Sequence, residues 1–255
     1  MDIITVRNLS AQISDNKILD DISFSVVQRE ILAIIGSSGV GKSTLLKCIG
    51  GLLPYTGDVR IDGYDLQKLS SRDIALKIAW LHQVHTAELP YTALNFVSMS
   101  RFAKKKFFEG TTKKDIEAAL NALRMTGVEH LADRLIASLS GGEKQRVYLA
   151  ATIAQGSDIL FLDEPTSFMD VQNIQQVFSL IAKAKSLGKT IVVVTHDINF
   201  ALRIADRIVA LKDGKIEKVG FAKNFFDLIL LKNIFNAEFE FAKTDNGKTI
   251  LSLCY

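Results

Sequence analysis

The chain has 255 residues, 48% of them hydrophobic, and its 31 basic and 28 acidic side chains leave a formal net charge of +3, which offers no electrostatic argument for binding nucleic acid or a membrane surface. The two cysteines, Cys48 and Cys254, have neither metal-ligand spacing nor the density of a disulfide framework, so a reducing cytosol is the expected setting. The start, Met1-Asp2-Ile3-Ile4, has no leader character and no later apolar run approaches the ~18–20 residues of a membrane span, so the chain reads as soluble and not exported.

The first elements are strands: residues 3–6, the alternating stretch 22–27 and the continuous apolar run Ile31-Leu32-Ala33-Ile34-Ile35, with Ser14-Asp15-Asn16 signalling a hairpin turn. Directly after the run comes Gly36-Ser37-Ser38-Gly39-Val40-Gly41-Lys42-Ser43-Thr44, which fits G-x-x-x-x-G-K-[ST]. Its glycines allow backbone conformations closed to bulkier residues, so successive N–H groups can turn inward around a phosphate. Lys42 adds a positive charge for the β- and γ-phosphates, and Ser43 can offer its hydroxyl to Mg²⁺. A helix from about Gly41 to Ile49 points its positive end at the nucleotide. Gly50-Gly51 and Pro54 stop that helix, and residues 58–63 read as a short strand closing on a glycine turn.

From about residue 89 to 139 the pattern is helical without strands, and residues 115–125 place Ile116, Ala119, Leu120 and Leu123 on one face. The run Arg101-Phe102-Ala103-Lys104-Lys105-Lys106-Phe107 reads as a solvated basic turn with aromatic anchors; the sharper alternative is a contact to a partner or to anionic headgroups. Leu139-Ser140-Gly141-Gly142-Glu143-Lys144-Gln145-Arg146 opens a helix through a capping box of Ser140 and Glu143. Capping alone does not account for two glycines in a first turn, since each weakens a helix by up to ~1 kcal/mol against alanine. Close backbone approach to an anion does.

Ile159-Leu160-Phe161-Leu162-Asp163-Glu164 sets two carboxylates at the end of a buried strand, where ligands of open α/β sheets bind. Asp163 can hold Mg²⁺ through water, and Glu164 can orient or deprotonate an attacking water. An amphipathic stretch over 171–187 leads to a second buried strand over 191–195, as in a parallel sheet covered on both faces. Asp245-Asn246-Gly247, between residues 239–241 and 249–253, is a strong hairpin signal. The length suits one α/β core with a helical insertion, or two domains.

With these motifs in order, the chain resembles the nucleotide-binding subunit of an ATP-binding cassette (ABC) transporter over essentially its whole length. Leu139 to Arg146 matches that family's signature sequence. The resemblance implies an α/β P-loop cassette with a mainly parallel core sheet, an antiparallel β subdomain and a helical subdomain. It would form a single domain over 1–255, with 1–88 and 140–255 as core and about 89–139 as the helical part. It further implies a homodimer that sandwiches two ATP molecules with Mg²⁺ head to tail. The loop residues Gly36 to Thr44 would hold one ATP, while Ser140, Gly141, Gly142 and Gln145 of the other subunit close over it.

Residue by residue, Glu164 takes the place of the catalytic carboxylate and Asp163 that of the metal-holding one. Gln83 stands where the family has a glutamine that approaches Mg²⁺ and the attacking water and links to the membrane partner. His196, in Val194-Thr195-His196-Asp197, occupies the γ-phosphate switch position. Asp170 ends the inter-subunit loop, with Phe168 and Met169 where a small residue and leucine are usual. His82 and His85 carry no such match and read as surface or packing residues. Ile13 stands where the family usually has an aromatic stacked on adenine; lacking a π-face, it implies weak discrimination between ATP and GTP.

The implied partners are integral membrane permease subunits and, through them, a substrate-binding protein, with no nucleic acid. The implied place is peripheral, on the cytoplasmic side of the inner membrane. Leu89-Pro90-Tyr91-Thr92-Ala93-Leu94-Asn95-Phe96-Val97-Ser98-Met99-Ser100-Arg101, with Ser100 where glycine is usual, and His196-Asp197-Ile198-Asn199-Phe200-Ala201 resemble the importers of metal chelates. Cargo of that group would be iron–siderophore, haem, cobalamin or an oxyanion. A permease helix would dock in a groove beside the helical subdomain, where Leu94, Phe96 and Met99 are candidate contacts. A soluble ABC ATPase of DNA repair or translation, and an exporter with separate chains, are the alternatives. The former usually carries a long coiled-coil insertion or a second cassette, whereas roughly a hundred residues separate Lys42 from Ser140 here.

Overall fold

The computed structural model describes residues 1–82, 90–105, 109–167, 169, 171–243 and 249–253. It opens on two strands longer than the sequence reading expects: β1 (Asp2–Ile13) and β2 (Asn16–Val27), antiparallel from Asp2↔Val27 to Ile13↔Asn16 around a turn where Ser14 has φ 53°. Register shifts between Val6 and Leu9 and between Leu9 and Ala11 break the period-two pattern, so only fragments of each strand alternate cleanly in sequence. There follow β3 (Ile31–Ile35), α1 (Lys42–Ile49), β4 (Thr56–Ile61), β5 (Tyr64–Asp65), α2 (Ser71–Lys77), β6 (Ile78–Leu81), α3 (Ala93–Met99), α4 (Lys113–Met125) and α5 (Gly141–Gln155). Then come β7 (Ile159–Asp163), α6 (Val171–Ser186), β8 (Thr190–Val194), α7 (Ile198–Ile204), β9 (Arg207–Lys212), β10 (Lys215–Phe221), α8 (Leu228–Phe235), β11 (Phe239–Lys243) and β12 (Thr249–Leu253).

The chain divides into two compact units, one of Met1–Lys68 with Thr190–Tyr255 and one of Leu69–Lys189. In the first, β1 lies between β2 and β4 in an antiparallel sheet. A second sheet places β3 between β8 and β9, parallel to both, and β9 runs antiparallel to β10. Every residue of β3 and β8 is buried, which is why both read as unbroken apolar runs rather than alternating ones. Ala33 and Ile35 of β3 join Ile208 and Ala210 of β9, Ile198 and Ala201 of α7 and Leu231 and Ile234 of α8 in one core. The β9–β10 hairpin turns on Asp213 and Gly214, with φ 48° and 73°; this Asp-Gly pair is the signal by which the sequence could have revealed it. β11 and β12 pair from Phe239↔Leu253 to Lys243↔Thr249, in the expected antiparallel sense, while Asp245, Asn246 and Gly247 lie outside the described residues.

In the second unit β6 and β7 are parallel, Ile78↔Ile159 to Leu81↔Leu162. The helical stretch expected at 89–139 lies within this unit, where α3, α4 and α5 surround Val97, Leu123, Val128, Ile136, Val147 and Ala150. The buried face of α4 differs from the expected one: Ala119 and Leu123 are buried as anticipated, but Ile116 is 39% exposed, and Asp115 and Ala122 point inward instead.

The cause is an ionic cluster, and it corrects the expected solvated basic turn in part. Lys104 is exposed as expected, but Arg101 and Lys105 are drawn in, and Phe102, expected as an anchor, is 76% exposed. Arg101 Nε donates to Asp115 Oδ1 at 2.8 Å, Lys105 Nζ lies 3.5 Å from Asp115 Oδ2, and Arg101 Nη1 donates to Ala154 O at 2.8 Å. Lys104 Nζ donates to Gly156 O at 3.1 Å, and Arg72 donates to the carbonyls of Ala103 and Lys105. Arg101 and Lys105 therefore tie helix ends together out of water, whereas Arg72 and Lys104 make their bonds while remaining exposed. Lys106 and Phe107 lie outside the described residues.

Cys48 is buried with its thiol pushed up to about 11 by desolvation, the environment of an inert packing cysteine. Cys254 lies outside the described residues.

Candidate functional site

In the first unit the phosphate-loop segment starts where β3 ends. A Cβ at Gly36, whose φ is 150°, would stand 2.5 Å from Leu211 O and 2.9 Å from Val40 Cγ1. One at Gly41, φ 103°, would stand 2.9 Å from Leu19 Cδ2 and 3.3 Å from Ile18 O. Both the backbone conformation and the space thus demand glycine at these two positions. Val40 N donates to Ser37 O at 3.4 Å and Leu45 N to Gly41 O at 2.8 Å, so the loop passes into α1 with Gly41 as an N-cap that has no side-chain acceptor. The first-turn N–H groups of α1 are accordingly oriented for an anion. Lys42 is buried, and its Nζ donates to Gly36 O at 2.9 Å and Ser37 O at 2.8 Å. The cation is thereby drawn back across the loop that carries it. Ser38 and Gly39 are exposed at the tip, Ser43 and Thr44 are half-buried, and Ser37 Oγ donates to Ile234 O of α8 at 3.1 Å.

The register Ile34↔Val194 sets the carboxyl ends of β3 and β8 side by side, and Thr195 N donates to Ile34 O at 3.1 Å. His196 is exposed just beyond, and Asp197 caps α7 by accepting from Phe200 N at 3.0 Å. His196 and the start of the glycine loop therefore leave the sheet at the same edge. Ile13, opposite Asn16 at the end of β1, is 47% exposed.

In the second unit β7 is buried throughout and ends on Asp163; Glu164 follows, half-buried, with φ 49°. A non-glycine residue in the left-handed region costs about 1–3 kcal/mol and persists where its surroundings over-determine it. Here Ser167 N closes the turn on Glu164 O at 3.1 Å. Ser140 caps α5: its N and Oγ both donate to Glu143 Oε2 at 2.8 Å, while its Oγ accepts from Glu143 N at 3.4 Å. The Ser140 backbone N–H and then its hydroxyl hold the Glu143 carboxyl below the ordinary glutamate value. Ser140 and Gly141 are exposed, and Gly142 is half-buried in the same first turn.

Gln145 departs from its expected place among them. It is 1% exposed, and its Nε2 donates to Pro165 O at 3.3 Å, so its amide faces the turn after Glu164 rather than the exposed start of the helix. Gln83, Phe168, Asp170 and His85 lie outside the described residues. Met169 N donates to Thr166 O at 3.3 Å. His82 stacks on Trp80 at 4.9 Å with an interplanar angle of 12°, a packing role. Arg101, Lys105 and Asp115 went unrecognised as a structural set because Asp115 lies 14 residues from Arg101, beyond the reach of a helical period.

Comparison with known proteins agrees with the motif reading. The sequence profile of the family described as "ABC transporter" matches residues 19–167. The chain is 36% identical over 234 residues to the petrobactin import ATP-binding protein FpuD of Bacillus anthracis, covering 91% of this chain and 86% of that protein. Its fold is similar to that of an ABC transporter assigned to the metal-chelate type, solved in an inward-facing conformation, with TM-score 0.86, 28% identity and coverage of 100% of this chain and 98% of the other. It is also similar to the ATP-binding cassette MJ0796, solved as a dimer in a post-hydrolysis state bound to ADP and Pi, with TM-score 0.77, 31% identity and coverage of 86% and 98%.

Proposed function

The chain belongs to the ABC transporter family, and from that premise we propose that it is the ATP-hydrolysing subunit of an importer, a homodimer that drives a separate membrane permease. The observation that carries the ATPase assignment is the Gly36–Thr44 loop, with Gly36 and Gly41 at positions where a side chain would be strained and a lysine held across it. In this reading the loop N–H groups and Lys42 bind and orient the β- and γ-phosphates, and Glu164 orients the attacking water and takes its proton. Ser140, Gly141 and Gly142 present the first turn of α5 to the γ-phosphate held by the other subunit. His196 and Gln83 sense that phosphate and the attacking water, and Asp170 meets the partner subunit. The contribution of these groups is mostly positioning and electrostatic stabilisation of phosphoryl transfer.

Mg²⁺ fits the donor chemistry of two residues, the Ser43 hydroxyl and the Asp163 carboxylate, which are the hard oxygen ligands this ion takes while keeping waters and phosphate oxygens around it. When bound, it would neutralise charge on the phosphates. Gln83 is the third proposed ligand.

No helix among the described residues is long and apolar enough to cross a membrane. We infer a peripheral position on the cytoplasmic side of the inner membrane, a permease docked on the helical segment, and a substrate-binding protein beyond it. Of the three candidate docking residues, Leu94 and Phe96 are partly committed to the core, Phe96 through an edge contact with Tyr148 at 4.9 Å, whereas Met99 is exposed. Met99 is therefore the first to test. The petrobactin-importing relative and the metal-chelate neighbour support a metal chelate, an iron–siderophore complex foremost, as the cargo.

Purification of the tagged chain from detergent-solubilised membranes tests the assignment. Integral membrane subunits should accompany it, and ATPase activity of the complex should rise with a cognate chelate and its binding protein. A chain recovered without membrane partners, bound instead to DNA or ribosomes, would overturn it in favour of a non-transport ABC ATPase.

A further inference from the structure

Gln145 stands in the first turns of α5, the helix opened by Ser140, Gly141 and Gly142, yet its side chain is buried. Its Nε2 donates to Pro165 O at 3.3 Å, and its Oε1 has no hydrogen-bond partner among the described residues. A carbonyl acceptor fixes the orientation of the amide, because only the NH₂ end can donate to it; the oxygen is left buried, with no partner among the described residues. Such a group destabilises the fold relative to an apolar side chain of similar shape, and its presence calls for another explanation.

Pro165 follows Glu164, the residue held at φ 49°. Proline offers no N–H, so its carbonyl is the backbone group by which this side of the turn can be held. The next residue on the helix, Arg146, hydrogen-bonds Asn173 near the start of α6. The signature helix therefore grips the segment on both sides of Ser167, once beside Glu164 and once beyond it.

We propose that Gln145 is a positioning residue for Glu164, which transmits the placement of the signature helix to the carboxylate that acts on water. The proposal rests on the assignment of Glu164 to that role. In a head-to-tail dimer, engagement of Ser140, Gly141 and Gly142 by the other subunit's ATP then sets the turn that presents the same subunit's own Glu164. Occupancy of one site thereby tunes turnover at the other.

The test compares Gln145→Met, Gln145→Glu, Glu164→Gln and the Gln145→Met/Glu164→Gln pair in the full-length protein. Methionine matches glutamine in length and removes both the donor and the buried oxygen. It should lower kcat about 10- to 100-fold, the scale of a small misplacement of a reacting group, with KM for ATP unchanged and Tm equal or higher. Glutamate faces Pro165 O with a donor only when protonated, so the kcat of Gln145→Glu relative to the parent should recover as pH falls. In the Glu164→Gln background, Gln145→Met should add no further loss. Unchanged kcat in Gln145→Met, a parallel fall in Tm, no acid recovery in Gln145→Glu, or full multiplication of the two losses would each overturn the proposal. Near-normal hydrolysis by Glu164→Gln alone would instead remove the premise, and Gln145's role with it.

Discussion

Asp115 is where the structure makes its most quantitative claim on stability. Its side chain is 8% exposed and faces Lys105, 7% exposed, and Arg101, 21% exposed. It also accepts from Thr112 N at 3.0 Å and Thr112 Oγ1 at 2.8 Å, forming the capping box of α4. Asp115→Asn keeps the shape and an oxygen for the cap but removes the charge. Breaking a buried pair by removing one partner costs about 3–5 kcal/mol; the lower figure applies here, because Arg101 retains some access to water. At roughly 2–4 °C per kcal/mol for a chain of this size, Asp115→Asn should lower Tm by about 6–12 °C. Asp115→Ala, which also loses the cap, should cost about 1 kcal/mol more.

The pH dependence gives a second reading of the same interaction. Burial raises the Asp115 carboxyl, but the Thr112 N–H, Arg101, the Thr112 hydroxyl and Lys105 together outweigh it and hold the carboxyl well below the usual range. A depressed native value means that the stabilisation is complete above the unfolded pKa of ~3.9 and is lost as pH falls through the native value. The gap between the parent and Asp115→Asn should therefore stay flat from neutrality to about pH 5 and narrow below about pH 4. Thermal unfolding followed by far-UV circular dichroism across that range measures it. A penalty under about 0.5 kcal/mol at neutral pH, or one that persists undiminished in acid, would refute the reasoning.

Four further outcomes are expected. Glu164→Gln should retain ATP binding, lower turnover by ~10²-fold or more and accumulate an ATP-bound dimer, seen by size-exclusion chromatography; near-normal hydrolysis would take Glu164 out of the role of base. Mixing Lys42→Ala chains with Ser140→Arg chains should restore activity above either variant alone, since such heterodimers hold one intact composite site; proven heterodimers with no such gain, where the sites act independently, would argue against sharing in trans. Ile13, exposed at its hairpin end and without a π-face, should leave ATP and GTP bound about equally, and Ile13→Tyr should tighten ATP by the ~1–3 kcal/mol of base stacking; a strong ATP preference in the parent, measured by equilibrium titration, would show that the base is read elsewhere. Gly36→Ala should abolish nucleotide binding, because its Cβ would meet a backbone oxygen at 2.5 Å, and retention of binding would show that the loop can relax.

What the sequence determined by itself is what local backbone chemistry dictates. A phosphate cradle needs glycine where φ is positive or another chain segment presses close, so Gly36 and Gly41 are readable from spacing alone, and the structure supplies the neighbours, Leu211 and Ile18, that make the requirement strict. The buried runs of β3, β7 and β8 and the Ser140–Glu143 box are equally local, the former through continuous apolarity and the latter through a three-residue reach. The tertiary structure decided whatever depends on a partner distant in the chain. Ile116 lost its expected core place to Asp115 because Arg101 and Lys105 arrive there from another segment, and a charge is solvated or buried according to what meets it, not according to helical period. Gln145 shares the signature motif with Ser140, yet the Pro165 carbonyl, twenty residues on, turns its amide away from the helix start. Periodicity records which face an element buries; the direction of a buried amide is set by the nearest acceptor, and only the folded chain brings that acceptor within reach.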